Sequence, residues 1–187
     1  MSTMTTWQVP DNLSNEQAIE LAYSLLEQME SNQLTDNEIE QRIIDLAKSK
    51  TGARNFLGAY LTSNSNLPDS PSVRVINALK SSPEIVSELM VKNLAMSTTM
   101  AITHRRNNDE ENAQGSDKVC QRSAKLIKAL NLDIIQDELN QLLNSITTGE
   151  GEYQAFLERW GYDQEQLQAM ATKVTQVLKS GVFLKKE

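Results

Sequence analysis

The side chains best suited to chemistry in this sequence form a short basic cluster, His104, Arg105 and Arg106. His104 is the only histidine of the chain and directly follows a stretch, 93–103, that carries no charge. A guanidinium group binds carboxylate or phosphate through two parallel hydrogen bonds. The cluster is therefore a candidate contact for an anionic group on a ligand or partner.

The same cluster has a plainer interpretation as the solvated end of a helix. The residues at 109–111 are acidic, and Arg105–Asp109 and Arg106–Glu110 are spaced four apart. On a continued helix such pairs face each other, so we expect both to form. In that case the acids neutralise the arginines and leave fewer donors for a partner.

Lys92, Asn93 and Arg122 extend the candidate site, because each is polar within an otherwise apolar helical pattern. In one interpretation Lys92 reaches the surface along its aliphatic stem and Asn93 bonds to a neighbouring backbone. In the other, all three line a pocket together with the basic cluster. The sequence leaves both interpretations open.

Metal and cofactor chemistry is disfavoured. One histidine and one cysteine, Cys120, cannot supply a zinc cluster, and no Glu-x-x-His pair exists for a di-iron site. The segment 107–118 lacks the glycine and the glutamate of a calcium loop. Phosphate-binding glycine motifs and a nucleophile elbow are missing too. We therefore expect no cofactor, no metal and a non-catalytic role, with Cys120 a buried, unreactive thiol. The alternative for this cysteine is a nucleophile pair with His104, since the two lie on adjacent predicted helices.

The fold class follows from the helix-start signals and from apolar residues at helical spacing. Capping boxes are predicted at four helix starts, with the pairs Ser14/Gln17, Thr35/Glu38, Ser81/Glu84 and Asp163/Gln166. No segment alternates as a strand does. The sequence thus predicts an all-α, single-domain bundle of about eight or nine helices.

One helix, about 83–106, is expected to be the buried centre of that bundle, since an uncharged helix is normally surrounded by protein. Its predicted inward face includes Met96 and Met100. Gly115 and Ser116 are interpreted as a helix stop and a new cap, which starts the next helix near 117. The aromatic residues expected to anchor the core are Trp7, Tyr153, Phe156 and Trp160.

The predicted domain organisation has three parts. Residues 1–13 form an N-terminal arm, 14–147 the main bundle, and 151–187 a C-terminal helical hairpin packed on the same core. The glycines in the segment 148–151, TGEG, suggest the boundary.

Charge and composition narrow the class of function. A formal net charge of −7 disfavours nucleic-acid binding, which needs a basic surface. A single cysteine and the lack of a signal-like or membrane-spanning run favour the cytoplasm. The leading hypothesis is a cytoplasmic protein that acts through protein–protein interaction, with a homodimer as one candidate state. The alternative is a small-molecule or anion binder, or an enzyme, that uses the six polar residues named above.

Overall fold

The computed structural model describes residues 6–180, and within that range the chain is all-α, as predicted. Nine α-helices lie in this range, with a single 3-10 turn at Leu67–Asp69. No helix in the described part of the chain is both long and apolar enough to cross a membrane.

The chain divides into two compact units, with the division between Val86 and Ser87. The predicted boundary at 148–151 stays a prediction, as do the arm at 1–13 and the hairpin at 151–187. Residues 1–5 and 181–187 of those two segments lie outside the described residues.

From residue 6 onward, the first unit contains four complete helices and the first residues of a fifth. The four complete helices are α1 (Asn15–Glu30), α2 (Asp36–Ala47), α3 (Lys50–Thr62) and α4 (Val73–Lys80). α1 packs mainly on α3, and α2 packs on α4 and α3. The indole of Trp7 connects the segment before α1 to α2. Its Nε1 donates to Asp45, and the Arg42 guanidinium lies 5.0 Å from the centroid of its ring.

Three of the four predicted capping boxes are confirmed. The fourth, Ser81/Glu84, is wrong, because Ser81 is the C-cap of α4 and its hydroxyl donates to the Ala78 carbonyl. Ser14 and Gln17 exchange reciprocal bonds at the start of α1, and Thr35 and Glu38 do so at the start of α2. Asp163 and Gln166 form the same pair before α9 (Gln164–Ser180). Each box satisfies two backbone donors that the first helical turn leaves unpaired.

The long helix α5 (Pro83–Arg106) has the predicted bounds and the predicted buried character. Met90, Leu94 and Ala95 are fully buried. The hydroxyls at 97–99 all donate to carbonyls of the preceding turn, so their hydrogen-bonding needs are met within the helix. Met100, predicted on the inward face, is instead 40% exposed, because its side chain lies away from the buried face.

The turn after α5 corrects the predicted start of the next helix. α6 spans Glu110–Leu130 rather than beginning near 117, and Gly115 lies inside it. Asn108 adopts a left-handed φ of 57° and ends α5, and Asp109 caps α6 by accepting from the Asn112 N–H. Asparagine tolerates that conformation and aspartate is a strong cap. One glycine at an exposed helical position costs only about 1 kcal/mol.

The remaining helices of the second unit are α7 (Asp133–Thr148), α8 (Gln154–Trp160) and α9. α9 packs mainly on α7 and also touches α6. The prediction that Trp160 anchors the core is wrong, because this residue is 50% exposed in the last turn of α8. Tyr153, immediately before that helix, was also predicted to be a core anchor, and its burial confirms that prediction.

Candidate functional site

The basic cluster occupies the last turn of α5, and the local backbone explains why that turn ends there. The Asp109 N–H donates to the His104 carbonyl at 2.9 Å, and the Asn108 N–H donates to the Arg105 carbonyl at 3.1 Å. These two bonds form a Schellman motif, which uses carbonyls that a helix end otherwise leaves unpaired. Cations at this end are also favoured by the helix dipole.

Arg105 binds two carboxylates of α6. Its Nη2 lies 2.6 Å from Asp117 Oδ2 and 3.1 Å from Glu110 Oε1. The hydrogen bond to Asp117, and then that to Glu110, raise the pKa of the guanidinium above its ordinary value. The charge of Arg105 is therefore already neutralised by these two carboxylates before any ligand or partner binds.

Arg106 binds two carboxylates at the start of α9. Its Nη1 lies 2.6 Å from Asp163 Oδ2, and its Nη2 bonds to Glu165. The bond from Arg106, followed by the bond from the Gln166 backbone, lowers the pKa of the Asp163 carboxyl. Acids are favoured at a helix start and bases at a helix end, so the ends of α5 and α9 are electrostatically complementary.

The predicted partners of these arginines are wrong. Arg105 bonds to Glu110 rather than Asp109, and Arg106 bonds to α9 rather than Glu110. The reason is that α5 ends at Arg106, so the four-residue rule for a continued helix does not apply. Asp109 instead lies 3.7 Å from His104 Nδ1, an ion pair only when that imidazole is protonated.

Lys92 is engaged elsewhere in the second unit. Its ammonium pairs with Glu88 one turn earlier and lies 5.7 Å from the centroid of the Phe156 ring. Close by, the Tyr153 hydroxyl donates to Glu138. Burial, and next the bond to Glu138, raise the pKa of Tyr153 above its ordinary value. The Lys92 ammonium group thus has a carboxylate partner and lies near an aromatic ring.

The six predicted residues do not converge on one cavity. Lys92 and Asn93 lie about 20 Å along α5 from the basic cluster, at 1.5 Å per residue. Arg122 is 1% exposed on α6, close in sequence to Cys120, whose sulfur lies 3.4 Å from Thr98 Oγ1. Of the six, Arg105 lines the largest cavity described below.

That cavity is an open groove of about 560 Å³ between α5, α6 and α9, here called the α9 groove. α5 contributes Ala101 and Ile102 to an apolar floor, and Arg105 with Asp117 stands at its rim. α9 contributes a continuous face, comprising Glu165, Gln168, Ala169, Thr172, Lys173 and Gln176. These positions recur at three- and four-residue intervals, which is one face of a helix over about 16 Å.

Cys120 also lines the α9 groove and is 7% exposed, so the expectation of a buried thiol is confirmed. The structure does not pair it with His104. Its neighbour Thr98 lies about 9 Å along α5 from that imidazole.

A second, smaller cavity of about 240 Å³ lies between α7, α8 and α9. Its walls are mainly apolar and include Ile146, Leu157 and Leu167, and none of the six predicted residues lines it. Across residues 6–180, no group of three or more His, Cys, Asp or Glu side chains is arranged to hold a metal ion.

Sequence reasoning missed Asp163, Glu165 and Gln166 as partners of the α5 terminus. Gln166 is 8% exposed, and its Nε2 donates to Thr103 Oγ1 at 3.0 Å. The available signal was the capping box itself. It marked a negatively charged helix start, which an otherwise unassigned basic helix end can neutralise.

Comparison with known proteins identifies a family. The model of the family described as "Uncharacterised conserved protein UCP020893" matches residues 14–177. No curated protein and no solved structure matches the sequence.

Proposed function

The chain belongs to that family, and we propose that it is a non-catalytic, cytoplasmic helical protein that binds another protein chain through the α9 groove. The observation that carries the proposal is the composition of this groove, in which apolar residues such as Ala101, Ile102 and Ala169 lie beside charged residues of both signs. A groove between helices can receive a further helix, which contacts it through side chains spaced three and four residues apart. A cytoplasmic location is part of the proposal, because the lone Cys120 cannot form an internal disulfide.

The charge arrangement supports a protein partner over a free anion. Arg105 and Arg106 each bind two carboxylates, so an anion would have to displace bonds that already exist. A protein helix requires no such displacement, since it contacts the floor of the groove and leaves the rim pairs in place. Arg105 then bounds the partner site rather than forming its centre.

The test is a matched pair of arginine substitutions. Ala169→Arg places a long charged side chain in the α9 groove, whereas Ala155→Arg places the same side chain on an exposed position of α8. Proteins that co-purify from the native host with wild type and Ala155→Arg, but not with Ala169→Arg, support the proposal. Cross-links to α9, located by mass spectrometry, identify the contact.

Two results would overturn the proposal. One is an identical set of captured proteins for all three chains at equal melting temperature. The other is a stoichiometric small molecule in native mass spectra of the purified protein, retained by Ala169→Arg. The latter result favours the smaller cavity or another site.

A further inference from the structure

We infer that the occupant of the α9 groove is a second copy of this chain, with two α9 helices packed antiparallel about a two-fold axis at Ala169. The inference rests on the proposed function and names its partner. Three features of α9 carry it: the residue at the centre, the charges on either side, and the pairing state of those charges.

Ala169 lies at the middle of the groove-lining face of α9, between Glu165 and Lys173. An antiparallel pair of identical helices has one position where each residue meets its own copy. A small residue at that crossing lets the two backbones approach closely. Ala101 of α5, which also lines the groove, is small as well and is 3% exposed.

Glu165 and Lys173 lie four residues before and four residues after Ala169. Antiparallel packing about Ala169 therefore places Glu165 of each copy opposite Lys173 of the other. The pattern is self-complementary, as a two-fold interface requires. A parallel arrangement would place like charges together and would be disfavoured.

The pairing state of the two charges leaves them available for this contact. Lys173 has no ion pair with any residue between 6 and 180. The Glu165 side chain is 69% exposed while it bonds to Arg106. A carboxylate has lone pairs for a second cation, so Lys173 of a second copy can bind it without breaking the bond to Arg106.

The charge pattern gives a test based on mixing two variants. Lys173→Glu places glutamates at both positions, and Glu165→Lys places lysines at both. Each variant alone brings like charges together twice across the two-fold axis, and we expect its dimer dissociation constant to rise about tenfold. A mixture of the two variants restores both opposite pairs, so the heterodimer should regain the wild-type constant. Sedimentation equilibrium measures all three constants, and thermal melts check that each variant folds.

A disulfide test locates the axis. In a Cys120→Ser background, Ala169→Cys should form an intermolecular disulfide under mild oxidation, because the two α-carbons come close enough to bridge. Lys179→Cys is the matched control on the same helix. Its two copies would lie about 30 Å apart, and it should stay reduced.

The outcomes separate the inference from the proposed function. A wild-type chain that stays monomeric up to about 100 µM overturns the inference, as does a dimer that neither charge variant weakens. If such a monomer still loses a captured protein on Ala169→Arg, the proposed function stands with a different partner. If the wild-type chain is monomeric and Ala169→Arg captures the same proteins as wild type, the inference and the proposed function both fail.

Discussion

The middle and the end of α5 are continuous turns of one helix, yet different forces hold them. Between Val86 and Ala95 the helix is held by burial of apolar side chains. Its last turn is held by ion pairs to two other helices, with Arg105 and Arg106 more than 40% exposed. Burial is worth about 25 cal/mol per Å² of apolar surface, whereas exposed ion pairs are worth little. The first region therefore determines stability, and the second mainly determines how the helix ends meet.

The largest expected effect contrasts one substitution at two positions of this helix. Met90→Asp should lower the free energy of unfolding by about 3–5 kcal/mol, because it buries an unpaired carboxylate. Met100→Asp should cost less than about 1 kcal/mol, since that side chain is 40% exposed whereas Met90 is fully buried. Urea denaturation measures both. Similar losses at the two positions would remove the distinction between the buried and exposed parts of the helix.

A smaller effect is expected where the end of α5 meets α9. Gln166→Ala removes half of the capping box and the bond to Thr103, so we expect a loss of about 1–2 kcal/mol. Gln164→Ala, at the exposed first residue of α9, is the matched control and should be nearly neutral. Equal losses for the two variants would show that the contact between these helix ends contributes no stability of its own.

The arginine pairs should contribute less again. The double variant Arg105→Ala, Arg106→Ala should lower the melting temperature slightly, and the difference from wild type should shrink at high salt, because exposed pairs are screened. Arg159→Ala, on the exposed face of α8, is the control for loss of a cation. Capture of a partner should fall with the double variant, since Arg105 borders the α9 groove. A salt-independent loss would mean that packing, not charge, holds this turn.

The sequence predicted the parts of this fold that local rules determine. Capping boxes depend on residues three apart, and three of the four predicted boxes form. The hydroxyls at 97–99 depend only on their own helix, and they bond backward as expected. The uncharged stretch before His104 correctly predicted a buried helix.

The failures come from contacts that no local rule can supply. The partners of Arg106 lie in α9, more than fifty residues away, and they depend on how the helices pack. The predicted start of α6 was wrong because the Asn108–Asp109 turn, and not Gly115, ends α5 and caps α6. Trp160 is exposed because the last turn of α8 leaves its side chain outside the packing, which its size alone did not reveal.

The smallest expected effect is an acid dependence at the exposed end of α5. The bond from Arg106 lowers the pKa of Asp163 in the folded chain below the ordinary value of 3.8. A folded pKa below the unfolded value adds stability that is fully present above 3.8 and is lost as the pH falls through the folded value. Asp163→Asn keeps a good helix cap but removes this titration, so its melting temperature should fall less steeply than that of wild type at acid pH.

The control for this prediction is a double-mutant cycle with Arg106→Ala. If the ion pair causes the acid dependence, Asp163→Asn should change the pH profile much less when Arg106 is already absent. An equal change in both backgrounds would assign the lowered pKa to the backbone N–H of Gln166, the next cause in order of size. In that case capping, rather than charge pairing, would govern this end of the helix as well, and its contrast with the buried middle would rest on exposure alone.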